Sequence, residues 1–264
     1  MKISGEIAVV TGASGGIGAA TARALAEKGA HVVLMARRTE ALNELASQIR
    51  MLGQKASPYP IDLSQPAAVA QVALRIKAEV GAPAIVVNNA GMGVWRFIEE
   101  TTPDQAMAMM ALPYFAAFAV TRAFIPDMLR AKRGHIVCVN SPASRFTWPG
   151  ACAYSAARFA LKGFTEALRS DLYGTGVRVT HFVAGHTATD YWKHNPGSEE
   201  RLPKIARLSP TITPERAAAA LVRGIERNSR EVVVPFMTKL FFWQHALFPW
   251  AVEWTLRATG YRRR

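Results

Sequence analysis

Short, uninterrupted apolar runs recur along this chain, and each is followed by a stretch whose apolar positions return every three or four residues. Ile7 to Thr11, His31 to Met35, the segment ending Tyr59-Pro60-Ile61, Ala84 to Val87, His135 to Val139 and Glu231 to Pro235 are runs of the first kind. Rich in β-branched residues and lacking polar alternation, they predict strands covered on both faces. Helical periodicity lies between them. An Ala-rich stretch runs to Lys28 and stops at Gly29, and Ala157, Leu161, Phe164 and Leu168 follow spacings of four, three and four from about Tyr154 onward. A further helix is expected from Thr102, an N-cap with Pro103 behind it, to about Arg130, with a kink at the internal Pro113. Strands alternating with helices predict an α/β domain whose parallel sheet binds ligands across its carboxyl ends.

Composition narrows this. Half of the 264 residues are hydrophobic, enough for one large core. No internal repeat or linker stands out. Cys138 and Cys152 suit a reducing compartment, and the six histidines have no metal-ligand spacing, so no metal is expected. The opening MKISGEIAVVTG reads as a strand and its turn rather than a signal peptide, which makes a cytoplasmic protein the expectation. The net charge is +13, and residues 201 to 264 carry twelve Lys and Arg against four Asp and Glu. No nucleic-acid motif accompanies that surplus. Because the same region is apolar, an anionic membrane surface or substrate matches it better.

The first strand leads into Gly12-Ala-Ser14-Gly15-Gly16-Ile17-Gly18 and then a helix. Glycines at that turn let backbone N–H groups approach a pyrophosphate at the positive helix end. At the tip of the second strand stand Arg37 and Arg38, where a carboxylate would hold ribose hydroxyls in a site without a 2′-phosphate. They suit the 2′-phosphate of NADP, or form an exposed basic turn. Asp62 is placed to accept from an adenine amino group, or to cap a helix. Asn88-Asn89-Ala90-Gly91 closes the fourth strand with residues small enough for the backbone to lie against a cofactor.

The chemistry concentrates in Gly134 to Phe164. Ser141 ends the strand, and Tyr154 and Arg158, four apart, share one helix face. A cation one turn from a phenol favours the phenolate, and a second hydroxyl can hold a carbonyl oxygen, which makes a proton-transfer arrangement.

Taken in order, Thr11-Gly12-x-x-x-Gly16-x-Gly18, Asp62, Asn88-Asn89-Ala90-Gly91, Ser141, Tyr154 and Thr189 resemble the short-chain dehydrogenase/reductase family over about residues 5 to 235. The resemblance implies a Rossmann-type, doubly wound parallel sheet of about seven strands in a three-layer αβα sandwich. It also implies hydride transfer at a carbonyl or alcohol, usually in a homodimer or homotetramer. For the cofactor it implies a site made of Gly12, Ser14, Gly15, Gly16, Ile17, Gly18, Arg37, Arg38, Asp62, Leu63, Asn89, Ala90, Gly91, Tyr154, Arg158, Gly185, Thr187 and Thr189, with Ser141, Tyr154 and Arg158 catalytic. Three positions depart from the family pattern. Arg158 replaces the usual Lys, Pro113 the usual Asn, and Ala184-Gly185 the usual Pro-Gly. Arg158 keeps the charge but does not release a proton, and Pro113 keeps a carbonyl but has no amide side chain.

Trp95, Trp148, His186, Tyr191 and Trp192 are expected at the substrate wall, pointing to an apolar or aromatic carbonyl or alcohol, or else serve as packing. Polar, Pro-punctuated residues 190 to 213 read as a lid within a domain of residues 1 to 235. Residues 236 to 264 read as an apolar, basic helical extension that packs on the protein or lies in a membrane interface. The functional expectation is an NADP(H)-dependent oxidoreductase. The alternative is a cofactor-binding subunit with little catalysis.

Overall fold

The apolar runs assemble into one sheet in the computed structural model, which describes residues 1–263. Arg264, the last residue of the predicted extension, lies outside them. In chain order the elements begin β1 (Ile7–Thr11), α1 (Gly16–Glu27), β2 (His31–Ala36), α2 (Thr39–Met51), β3 (Ala56–Pro60), α3 (Pro66–Glu79) and β4 (Ile85–Asn88). There follow α4 (Pro103–Met110), α5 (Ala116–Arg130), β5 (Gly134–Asn140), α6 (Cys152–Asp171), β6 (Val177–Ala184), α7 (Tyr191–His194), α8 (Pro214–Glu226), β7 (Glu231–Val234), α9 (Phe236–Leu247) and α10 (Pro249–Thr259). All seven strands pair in parallel, in the order β3-β2-β1-β4-β5-β6-β7. The order reverses between β1 and β4, which opens a crevice at their carboxyl ends.

Period-two geometry divides the core. Val32, Leu34 and Ala36 face Leu25, Leu42 and Leu221, while Val33 and Met35 face Ile76, Phe124 and Leu161. Both faces of the inner strands β1, β2, β4 and β5 are therefore buried, the reason these segments show no polar alternation, while the edge strands β3 and β7 are only partly covered. A third cluster sits beyond the carboxyl ends and joins Trp95, Phe146, Trp148 and Tyr154 to Phe242 of α9 and Leu256 of α10.

Three expectations shift in detail. α6 begins at Cys152, two residues before Tyr154. The helix from Pro103 to Arg130 is capped by Thr102 as the sequence predicts, with Gln105 completing a capping box, but Pro113 is absorbed in a π-helical turn, Ala111–Phe115. A proline has no N–H to give to the fourth carbonyl back, and the wider turn accommodates the missing bond. The extension is two helices, not one segment. Phe248 leaves helical geometry before Pro249, which starts α10.

The loop after β5 is tied to the sheet edge by charge. Glu231 of β7 accepts from Arg145 at 2.6 Å and pairs with His181 Nδ1 at 3.1 Å, while Arg145 also lies 4.7 Å from the Phe242 ring centroid. Burial opposes the Glu231 charge, but hydrogen bonds from His181 and Arg145 outweigh it and hold the carboxyl at about 2, below its ordinary 4.5. A lowered carboxyl adds stability that is complete above the unfolded value and lost as pH falls through the folded one. Glu231→Gln should therefore lower the thermal midpoint at neutral pH. The gap to the native chain should close as pH falls from about 5 to about 2. Calorimetry across that window checks this, and a gap independent of pH would show that the pair carries no linkage.

Candidate active site

The crevice is held open by a clip between strand ends. Thr11 Oγ1 donates to Val87 O and accepts from the backbone N–H of Asn89 and Ala90, at 2.9 and 3.0 Å. Asn89 Nδ2 returns a bond to Thr11 O at 3.0 Å. Over this clip the glycine turn has no room to grow. A Cβ on Gly18 would fall 2.3 Å from Gly12 O, and one on Gly12, at φ +64, would fall 2.9 Å from Asn89 Nδ2. Gly18 thus lies beneath the turn, while Gly12, Ser14, Gly15, Gly16 and Ile17 line a cavity of about 1270 Å³. Arg37 and Arg38 stand at its rim, and Arg38 donates to Ser14 O at 2.7 Å.

Along the same cavity lie Leu63, Asn89, Ala90, Gly91, Gly185, Thr187 and Thr189. Asp62 is placed differently. It is exposed and is not among the lining residues, and its Oδ1 accepts from Ser64 N and Oγ, bonds that hold its carboxyl below the usual range. Nor does it cap α3, whose N-cap is Gln65.

The wall beyond the turn brings together Ser141, Tyr154 and Arg158. Asn140 organises it. Its Oδ1 accepts from Ser141 N at 2.9 Å, and its Nδ2 donates to Arg158 O at 3.0 Å and meets His181 Nε2 at 3.2 Å. Ser141 Oγ accepts from Ala143 N at 3.1 Å. That bond occupies an acceptor position and leaves the O–H to donate. Arg158 is buried, its Cζ is 4.9 Å from the Tyr154 ring centroid, and its Nε has no partner among the described residues. The guanidinium covers the face of the phenol ring, in cation–π geometry.

Known proteins resemble this chain in sequence and in fold. The profile of the short chain dehydrogenase family matches residues 6–200. The chain belongs to the short-chain dehydrogenases. Estradiol 17-beta-dehydrogenase 11 of Rattus norvegicus is 32% identical over 251 residues, covering 94% of this chain and 81% of the rat protein. A metagenomic short-chain oxidoreductase in complex with NADP superposes with a TM-score of 0.74 at 32% identity, over 89% of this chain and 98% of that one. A short chain dehydrogenase from Burkholderia cenocepacia J2315, also in complex with NADP, gives 0.81 at 28% identity, over 97% and 99%.

The remaining wall of this short-chain dehydrogenase is aromatic. Trp95 lies 5.0 Å from Trp148, 5.3 Å from Tyr154 and 5.3 Å from Trp192, centroid to centroid. The indole N–H groups of Trp95 and Trp148 are buried without a partner. His186 accepts from the Trp192 indole at 2.9 Å through Nε2, so its proton is on Nδ1, 2.8 Å from Thr211 Oγ1. Tyr191 donates to Gly93 O at 3.2 Å, and burial, with the neighbouring Tyr154 phenol second, pushes its phenol upward.

Sequence reasoning passed over the residues that join the 190–213 segment to the segment after β4. Asn195 Oδ1 accepts from Gly93 N, Ser198 Oγ accepts from Trp95 N, and Arg201 pairs with Glu100. Asn195-Pro-Gly-Ser198 looks like a plain turn, and nothing in it announces these contacts. Gly93 is the most confined of them, since a Cβ there would lie 2.1 Å from Tyr154 Cδ2. Gly93→Ala must move that ring. It should lower turnover by about a hundredfold, the scale of an ångström-sized misplacement, while dinucleotide affinity changes less than about threefold. Stopped-flow turnover with fluorescence titration checks this, and an equal loss in both would place Gly93 with the cofactor cradle.

Proposed function

We propose that this short-chain dehydrogenase is an NADP(H)-dependent oxidoreductase acting on an apolar carbonyl or secondary alcohol. The observation that carries the reading is the single cavity that joins the glycine turn and two rim arginines to Ser141, Tyr154 and a buried Arg158. Family membership makes the chain an oxidoreductase of the CH–OH class. The cradle fits a nicotinamide dinucleotide, because its glycines leave no space for side chains and the unpartnered Arg158 Nε waits for an acceptor. Gly12, Ser14 to Ile17, Asn89 to Gly91, Gly185, Thr187 and Thr189 would hold the body of the cofactor, with Leu63 rather than Asp62 facing the cavity beside them. Arg37 and Arg38 would hold a 2′-phosphate. The NADP in both solved relatives supports this choice. When bound, the nicotinamide supplies the hydride acceptor or donor.

The chain's own part is proton and oxygen management. Ser141 O–H holds the substrate oxygen, and Tyr154 gives it a proton or takes one away. Arg158 stabilises negative charge on the phenol from the ring face but does not pass the proton on. Pro113, buried in the π-helical turn, offers no side-chain amide to such a relay. These two departures support a second reading, a cofactor-binding subunit with little turnover. Trp95, Trp148, His186, Tyr191 and Trp192 form the substrate wall, and the estradiol in the rat relative's name supports an apolar, ring-bearing substrate. Residues 190 to 213 act as the lid of the domain of residues 1 to 235. The protein works in the cytoplasm as a homodimer or homotetramer, a reading supported by exposed Met107, Phe115, Phe118 and Phe159 on the α4 to α6 side.

NADPH should bind more than tenfold tighter than NADH, about 1.4 kcal/mol. Replacing Arg37 and Arg38 with Ala should weaken NADPH and spare NADH, as read by titration, and equal affinities would remove the assignment. Tyr154→Phe should abolish NADPH oxidation over a panel of carbonyls. Arg158→Lys should leave it equal or raise it. If the native chain binds NADPH yet turns over none of the panel, and Arg158→Lys restores turnover, the binding-subunit reading holds.

A further inference from the structure

Leu202, Ile205 and Leu208 line the cavity from one segment, and Phe241, Phe248 and Trp250 line it from α9, α10 and the break between them. Leu208, Phe248 and Trp250 are at once lining and exposed, so the cavity reaches the surface beside them, and this is its mouth. Phe236, Trp243 and Leu247, seven and four apart, form one face of α9, and Trp250 and Trp254, four apart, form one face of α10. With Phe248 between them, all six are 50 to 73% exposed, while Phe242 and Leu256 point inward to the Tyr154 cluster. The charge around this face has one sign. Residues 202–209 and 236–252 contain Lys204, Arg207 and Lys239, all exposed, and no Asp or Glu. The next acid along, Glu253, is taken up by Arg257 at 3.1 Å. The Lys239 ammonium lies over the Trp243 ring, 5.2 Å from its centroid, so a cation sits directly on the apolar face.

We propose that the exposed face of α9 and α10, with residues 204–208, docks on an anionic phospholipid surface and turns the cavity mouth toward the lipid. Tryptophans backed by lysine and arginine favour the boundary between headgroups and hydrocarbon. The helices lie along that boundary, because twelve and eleven residues reach only about 18 and 17 Å against about 30 Å of hydrocarbon. A second copy fits the face less well. It would bring its own Lys204, Arg207 and Lys239 against these three and would close the mouth. Phe248 and Trp250 belong both to the docking face and to the mouth. An amphiphile dissolved in the membrane can then enter without crossing water. This last step rests on the proposed oxidoreductase function, whereas the docking does not.

The test uses the full chain and vesicles, and needs no turnover. Flotation is measured with pure phosphatidylcholine and with about 30% phosphatidylserine, at low and high salt. The chain should float with the anionic vesicles and be released by salt. Replacing Lys204, Arg207 and Lys239 with Ala should weaken that binding by about a hundredfold. Replacing Trp243, Leu247 and Trp254 with Ser, with the circular dichroism melt as the check on folding, should weaken it at least about tenfold. The proposal is overturned if the native chain stays in the aqueous layer with both vesicle types. It is equally overturned if the serine variant splits an oligomer in light scattering while the native chain ignores vesicles, which assigns the face to a second copy.

Discussion

Everything at the carboxyl rim depends on how the ends of β1 and β4 are joined. Two strands that part at a reversal of sheet order leave unpaired backbone groups, and Thr11 satisfies them with one hydroxyl that takes two N–H groups and gives one bond. Asn89 then fixes the glycine turn from below. The clip therefore sets the floor of the cradle and the starting direction of the segment that follows β4. That segment runs past Gly91, whose missing Cβ leaves room for Arg158, and past Gly93, whose missing Cβ leaves room for Tyr154. Trp95 then packs on Tyr154, and its N–H donates to Ser198 in the 190–213 segment.

A second chain of bonds reaches the site from the far edge of the sheet. Glu231, His181 and Asn140 connect β7, β6 and β5 and end at the Ser141 N–H and the Arg158 carbonyl. Asn140 Nδ2 can only donate, so His181 Nε2 accepts and His181 Nδ1 carries the proton toward Glu231. Arg145, on the other side of Glu231, braces Phe242 of α9. The same carboxylate thus steadies the loop after β5 and the C-terminal helices. A guanidinium, a ring and a carboxylate in one stack explain why α9 and α10 stay attached to the site although half their large side chains face solvent.

Arg158 gives the site a cation of fixed shape. Its charge sits at a buried position, and its planar head spreads over the Tyr154 ring, as guanidinium groups do on aromatic faces. Where a flexible ammonium could reach past the ring, this group covers it. Gly91 is the residue that makes space for that head.

The sequence by itself determined the parallel sheet, because strands buried on both faces must be written as unbroken apolar runs, and the glycine turn, because only glycine tolerates Gly12's φ and Gly18's contacts. It also determined that Ser141, Tyr154 and Arg158 share a wall, since a strand end and one helix face fix them within a few residues. Only the tertiary structure decided what meets that wall from elsewhere. Gly93, Asn195, Ser198 and Glu231 stand far from the motif in sequence, and their roles come from contacts across 50 to about 100 residues, which no local period encodes. It decided as well that Asp62 serves its own turn through Ser64, a bond two residues long that a position at a strand end cannot reveal. The C-terminal stretch shows the same division: composition marked it as apolar and basic, but which rings turn inward to Tyr154 and which stay exposed follows from the break at Phe248, which aims the two helices independently.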